Sequence, residues 1–346
     1  MVNNPEVNHP TPSGQAVTGD FDLLQPQVVL AAAEAGFGLR LDGSMTPYNS
    51  YINRVYELKS EDGKSYMAKF YRPGRWSFQA IQEEHAFLHD CAQNDIPVVE
   101  PLPDPDGDTL LEVQSAGETE QSYLFALFPK RAGRNFDAES DQDWLRLGSL
   151  VGRMHLAARS SNPTPLSASC RPVCLPRPII TTCLQELDQA RALHPDVSSE
   201  FINLADTILK RIEPLFSDVP LQRVHGDCHR GNILERPGEG LLLIDFDDMM
   251  IGPAIQDIWL LLPERADQCN HELNLIAEGY EQFLPFDYSW KRLIEPLRAM
   301  RMLYYLAWQA RQRHDRKFQS DYPDWGSRAF WIKEVEDLRE QLQYCE

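Results

Sequence analysis

The chain has 346 residues, of which 42% are hydrophobic and 25% charged, values ordinary for a folded globular protein with room for one large or two moderate domains. A formal charge of −19 and a pI near 4.9 argue against nucleic acid or an anionic membrane surface as the main partner, because both depend on Lys and Arg neutralising phosphates. No run approaches the roughly 18 to 20 apolar residues that span a bilayer, and the polar, proline-containing start lacks a signal-peptide pattern, so a cytoplasmic protein is expected.

Seven cysteines, without a Cys-x-x-Cys pair or zinc-like spacing, read as reduced thiols. Residues 1–20 carry Asn-Pro, His-Pro and Thr-Pro pairs and are expected to be a flexible segment. Residues 27–36 predict a short helix with Val28, Val29, Ala32 and Ala33 inside, ending at glycine. There follow a strand at 39–41, a polar loop over 42–50, a strand at 51–58, an Asp62-Gly63 turn and a strand at 66–70. This is the layout of a kinase small lobe, with the loop covering phosphate. Gly43 is the loop's only glycine, so Asn49 and Ser50 are the candidates to donate hydrogen bonds where glycine amides otherwise would.

Strand alternation puts Met67 and Lys69 on one face, Met67 to pack on adenine and Lys69 to reach the phosphates. A surface lysine on an edge strand is the plainer alternative. The helix expected over 79–91 offers Glu83 or Glu84 to hold the Lys69 ammonium. Glu84 is favoured, one turn ahead of Leu88. Strands at 110–113 and 123–129 complete the sheet, and Pro129 followed by Gly133 suits a hinge. Helices are expected over 144–159, 180–192 and 198–215, with His155 a hydrogen-bonded core histidine and 160–178 irregular.

The most informative stretch begins at Val224: His225-Gly226-Asp227-Cys228-His229-Arg230-Gly231-Asn232, then Leu-Ile-Asp245-Phe246-Asp247-Asp248. Turn residues from Arg236 to Gly240 lie between two short apolar runs and predict a hairpin that brings Asp227, Asn232 and Asp245 to one end. Such a cluster suits Mg²⁺, a hard ion that takes oxygen ligands and completes its shell with water and substrate phosphates. Asn232 and Asp245 would be its protein ligands, leaving Asp227 to orient an attacking hydroxyl or accept its proton. A solvated acidic loop explains neither the glycines nor the spacing. Further on, the helix expected to begin at 251 carries Asp257, read as bonding the catalytic loop from behind. A buried helix is expected over 293–313, where Arg298, Arg301 and Arg311 either bind an anionic group or cover the core with their stems. A last helix is expected over 331–343.

The His-Gly-Asp-x-His-x-Gly-Asn loop with its later metal Asp resembles the aminoglycoside phosphotransferase and choline kinase branch of the kinase-like fold. Blocks around Asn49-Ser50, Lys69-Phe70-Tyr71-Arg72-Pro73, Glu83-Glu84-His85, Gly252-Pro253-Ala254 and 294–301 resemble, more narrowly, bacterial stress response Ser/Thr protein kinases of the RdoA/YihE type. The resemblance implies an α+β, bilobal fold, with a small β-rich lobe over 21–132 and a larger, mainly helical lobe over 133–346. It implies Asp227 as proton acceptor with Asp245 also catalytic, Asn232 and Asp245 on Mg²⁺, and Ser50 at the ATP site. The implied activity is transfer of the ATP γ-phosphate to Ser or Thr of proteins, by a cytoplasmic monomer. A small-molecule kinase is the second reading, and a nucleotide-sensing scaffold the third.

Overall fold

The computed structural model describes residues 20–48, 50, 52–115, 121–160 and 168–345. The segment expected to be flexible, except Asp20, lies outside them, as do Asn49 and Tyr51. The fold begins with helix α1, Pro26–Phe37, which has Pro in its first turn and is capped by Gly38 in the left-handed conformation. It runs past Gly36, where the sequence pattern had ended it.

Strands β1 (Leu41–Tyr48), β2 (Arg54–Ser60), β3 (Ser65–Phe70), β4 (Leu111–Gln114) and β5 (Ser122–Pro129) form one antiparallel sheet in the order β1-β2-β3-β5-β4. β1 takes up most of the stretch expected to be the phosphate-covering loop. Gly43, at φ +83°, sits where the register with β2 shifts between Leu41 and Met45, so the pairing absorbs the turn residues as a bulge. The connection to β2 is therefore only 49–53. Register places Val55 opposite Lys69 and Glu57 opposite Met67, with Lys69 and Met67 in turn opposite Ala126 and Phe128. Ala68 and Phe70 point the other way and are fully buried with Val29 and Ala33 of α1, Phe70 stacked on Phe125 at 5.0 Å. Helix α2, Phe78–Gln93, starts at Ser77, whose hydroxyl accepts from the Ala80 N–H. It buries Ile81, Phe87 and Leu88.

The second lobe opens with β6 (Arg134–Asn135), then the helices α3 (Asp141–Ser160), α4 (Pro176–Gln189) and α5 (Pro195–Ile212). β7 (Leu221–Val224), the hairpin β8 (Ile233–Arg236) and β9 (Gly240–Leu243), and β10 (Met250–Pro253) surround the site. Five helices follow: α6 (Ile255–Trp259), α7 (Asn270–Glu281), α8 (Ile294–Gln312), α9 (Arg316–Asp321) and α10 (Arg328–Leu342). The helix expected to start at 251 starts at Ile255. Residues 250–253 instead pair with β7, Met250 opposite Val224, and Pro253 ends the strand. α7 had not been expected at all. No helix among the described residues is long and apolar enough to cross a membrane.

Candidate active site

A cleft of about 650 Å³ separates the sheet from the helical lobe, with Ser50, Met67, Lys69, Glu84 and Asp245 in its walls and 128–133 along its edge. Five of the predicted site residues thus line one cavity. Lys69 reaches its floor from β3, where its Nζ lies 3.3 Å from Glu84 Oε1, 3.5 Å from Asp245 Oδ1 and 3.2 Å from Asp247 Oδ1. Burial alone would lower the ammonium's pKa, but the carboxylates, Asp247 first, hold it well above the usual lysine value. Glu84, on α2, is the partner the helix supplies. Glu83 turns away and accepts from the Cys170 N–H at 2.6 Å and from the Ser169 hydroxyl.

The loop that carries Asp227 leaves β7 at Val224 and is pinned from behind. Asp257, fully buried, accepts the His225 N–H at 2.8 Å, the Gly226 N–H at 2.8 Å and His155 Nε2 at 3.0 Å. Gln256 Nε2 donates to the Gly226 carbonyl at 2.9 Å. His155, in turn, accepts at Nδ1 from the Tyr280 hydroxyl, as a satisfied core histidine does. Gly226 has φ +85°, and a Cβ built on it would lie 2.0 Å from the Asp248 carbonyl oxygen, so no side chain fits between the loop and the 245–248 segment.

Beyond Gly226 the chain aims three polar side chains. Asn232 closes a short turn, its Nδ2 donating to the Asp227 carbonyl at 3.0 Å, which leaves Oδ1 as its outward acceptor. The hairpin register pairs Ile233 with Leu243, and the Ile244 N–H donates to the Asn232 carbonyl at 3.0 Å. Asp245 is thereby set beside Asn232. It has φ +63°, a strained backbone for a non-glycine residue costing about 1–3 kcal/mol, and its carboxylate is 55% exposed. Asp227 and Asn232, on this loop, are not among the residues lining the cleft. Burial would raise the Asp227 pKa, but His229 and Arg301 outweigh it and bring the carboxyl down to about 2. Arg301 Nη2 lies 2.6 Å from Oδ1, and His229 Nε2 lies 3.5 Å from Oδ2.

The donor set fits a hard divalent cation. Asn232 Oδ1 and the exposed Asp245 carboxylate both offer oxygen, while Glu84, Asp247 and Asp248 are taken up by Lys69 and Arg75. Among the described residues no three His, Cys, Asp or Glu side chains form a metal cage. A cation held here would complete its shell with water and phosphate oxygens.

Several members of the site went unassigned in the sequence. Asp247 is 2% exposed and bonds Arg75, while Arg171 donates to its carbonyl and to that of Met249. Arg75 also bonds Asp248 at 2.6 Å, tying the β3–α2 connection to the 245–248 segment. The three aspartates at 245, 247 and 248 were the one available signal for this second ion cluster.

The model described as "Phosphotransferase enzyme family" matches residues 44–294. Stress response kinase A of Escherichia coli (strain K12) is 36% identical over 332 residues, covering 93% of this chain and 94% of the relative. A relative from Salmonella typhimurium, named "Serine/threonine protein kinase RdoA", is 36% identical over 324 residues with the same coverage. Among solved structures, amicoumacin kinase hAmiN in complex with AMP-PNP, Ca²⁺ and Ami superposes with a TM-score of 0.71 at 19% identity, covering 91% of this chain and 93% of that one. Choline kinase LicA from Streptococcus pneumoniae gives 0.63 at 15% identity, covering 92% and 98%. At such identities the structures speak for the shared protein-kinase-like fold alone. The family match, the extent of identity to the stress response kinases and the lysine–carboxylate cleft agree: the chain is a kinase and belongs to the phosphotransferase enzyme family, where it stands with the stress response kinase A proteins.

Proposed function

We propose that the protein is an ATP- and Mg²⁺-dependent Ser/Thr protein kinase of a bacterial stress response, acting in the cytoplasm as a monomer. The observation that carries this reading is a lysine ammonium clamped by Glu84 on the floor of a cleft, 3.5 Å from Asp245, with Asp227 on the adjoining loop. In this reading residues 21–132 cover the nucleotide and 133–346 carry the chemistry. Met67 and Phe128, opposite each other in the sheet, flank the adenine, while Lys69 holds the phosphates and Ser50 donates to them from the rim. Held by Asn232 and Asp245, Mg²⁺ would neutralise charge on the transferring phosphoryl group.

Asp227, ionised at neutral pH, orients the acceptor hydroxyl and takes its proton as the oxygen bonds to the γ-phosphorus and ADP departs. Enzymes of this kind work mainly by positioning, and the buried support from Asp257 supplies it. The protein acceptor is supported by the relative named a serine/threonine protein kinase, 36% identical across nearly the whole chain. A small-molecule acceptor is the second reading, favoured by the fold shared with a choline kinase. Purified protein incubated with γ-labelled ATP and Mg²⁺ separates the two when casein is offered beside choline, homoserine and an aminoglycoside. Label on protein is expected. Label on a small alcohol would transfer the assignment to the second reading, and no label at all would overturn both.

A further inference from the structure

Three arginines project from α8 itself, and they do different things. Arg298 donates to the Glu264 carbonyl and lies over the Trp259 ring at 5.0 Å, and Arg311 forks onto Glu186; both are structural. Arg301 instead reaches the catalytic loop, with Nη2 2.6 Å from Asp227 Oδ1. Its side chain is 36% exposed, so it is not a stem covering core. One turn on, Tyr304 donates its hydroxyl to Asp248 Oδ1 at 2.8 Å, the oxygen that also takes Arg75. The same helix face therefore touches both the loop of Asp227 and the segment of Asp245, while Leu297, Met300 and Leu303 anchor it in the core.

A carboxylate on a loop turns about its last bond unless one oxygen is held. Resting on the reading of Asp227 as proton acceptor, we propose that Arg301 is a positioning residue for phosphoryl transfer: it fixes Oδ1 of Asp227, so that Oδ2, which faces the longer contact from His229 Nε2 at 3.5 Å, is the oxygen presented to the acceptor hydroxyl. Nucleotide is bound elsewhere, by Lys69 and the hinge, so the contribution falls on turnover rather than on ATP affinity. Misplacement of a reacting group by about 1 Å can lower a rate about 10²-fold. The contact is a single hydrogen bond rather than a two-pronged fork, so a lysine can reproduce most of it.

The test measures kcat and KM for ATP, on casein and on water as acceptor, for Arg301→Met, Arg301→Lys and Asp227→Ala, with ATP–Mg²⁺ affinity read by calorimetry. Arg301→Met is expected to lower kcat about 10- to 100-fold with KM and nucleotide affinity within about twofold of wild type, and Arg301→Lys to recover most of that loss. A wild-type kcat in Arg301→Met, a loss confined to KM, or a lysine variant no better than methionine would each overturn the inference. Asp227→Ala separates the layers: if it is inactive while Arg301→Met is normal, only this inference fails; if it turns over normally, the reading of Asp227 fails first.

Discussion

Replacing Asp257 with Asn tests how the loop before Asp227 is held. The carboxylate is fully buried and takes three N–H donors, two on Oδ2 from His225 and His155 and one on Oδ1 from Gly226. The amide keeps the shape but has one acceptor end. With its oxygen toward His225 and His155, its NH₂ confronts the Gly226 N–H, leaving a buried donor unpaired at about 1–3 kcal/mol. The two remaining bonds lose their charge assistance, about another 1 kcal/mol together. The expected loss is about 2–4 kcal/mol, or a fall of about 3–6 °C in Tm for a chain of this size. Because Gly226 precedes Asp227 directly, turnover should fall as well, about 10- to 100-fold. Thermal unfolding followed by circular dichroism, paired with kcat at saturating ATP, reads both effects. A variant with unchanged Tm and wild-type turnover would refute the claim that these three bonds hold the loop.

Asp245→Ala should weaken nucleotide binding in the presence of Mg²⁺ and leave metal-free binding nearly unchanged; titration calorimetry with and without the metal checks this, and equal losses in both would refute the ligand assignment. His85 gives a pH dependence. It is 5% exposed, and burial, with Lys69 and Arg171 nearby, pushes its pKa down to about 3, while an unfolded histidine protonates near pH 6.5. The unfolded chain therefore gains a proton that the native protein refuses. Stability is at its full value above about pH 6.5 and declines toward pH 3, by roughly 1.4 kcal/mol per unit well below 6.5. Chemical denaturation at pH 7 and pH 5 should show about 2 kcal/mol of this loss in wild type and less in His85→Gln. Equal losses would show that His85 is not its source.

The parts of the site that lie close in sequence were legible because spacing encodes them. The turn residues from Arg236 to Gly240 set the hairpin, and its register delivers Asn232 and Asp245 together. Strand alternation likewise put Met67 and Lys69 on the cleft side, and one helical turn distinguished Glu84 from Glu83. The Asp42-Gly43-Ser44 stretch misled because its residues suit a turn, whereas pairing with β2 draws them into a bulged strand. Ile251 to Pro253 read as the start of a helix because so short a strand has too few residues to show alternation. α7 did carry a signal: Leu273, Ile276, Ala277 and Tyr280 recur at helical spacing and are all buried. Arg75 with Asp247, and Arg301 with Asp227, join positions far apart in the chain. Nothing periodic marks such pairs, and only the packed fold reveals them.

Asp227→Ala is the most direct test of the account as a whole, with γ-phosphate transfer and ATP–Mg²⁺ affinity measured on the same preparation. Affinity near wild type with turnover lowered at least about 10²-fold is the predicted result. Phosphate transfer at the wild-type rate by that variant would contradict it.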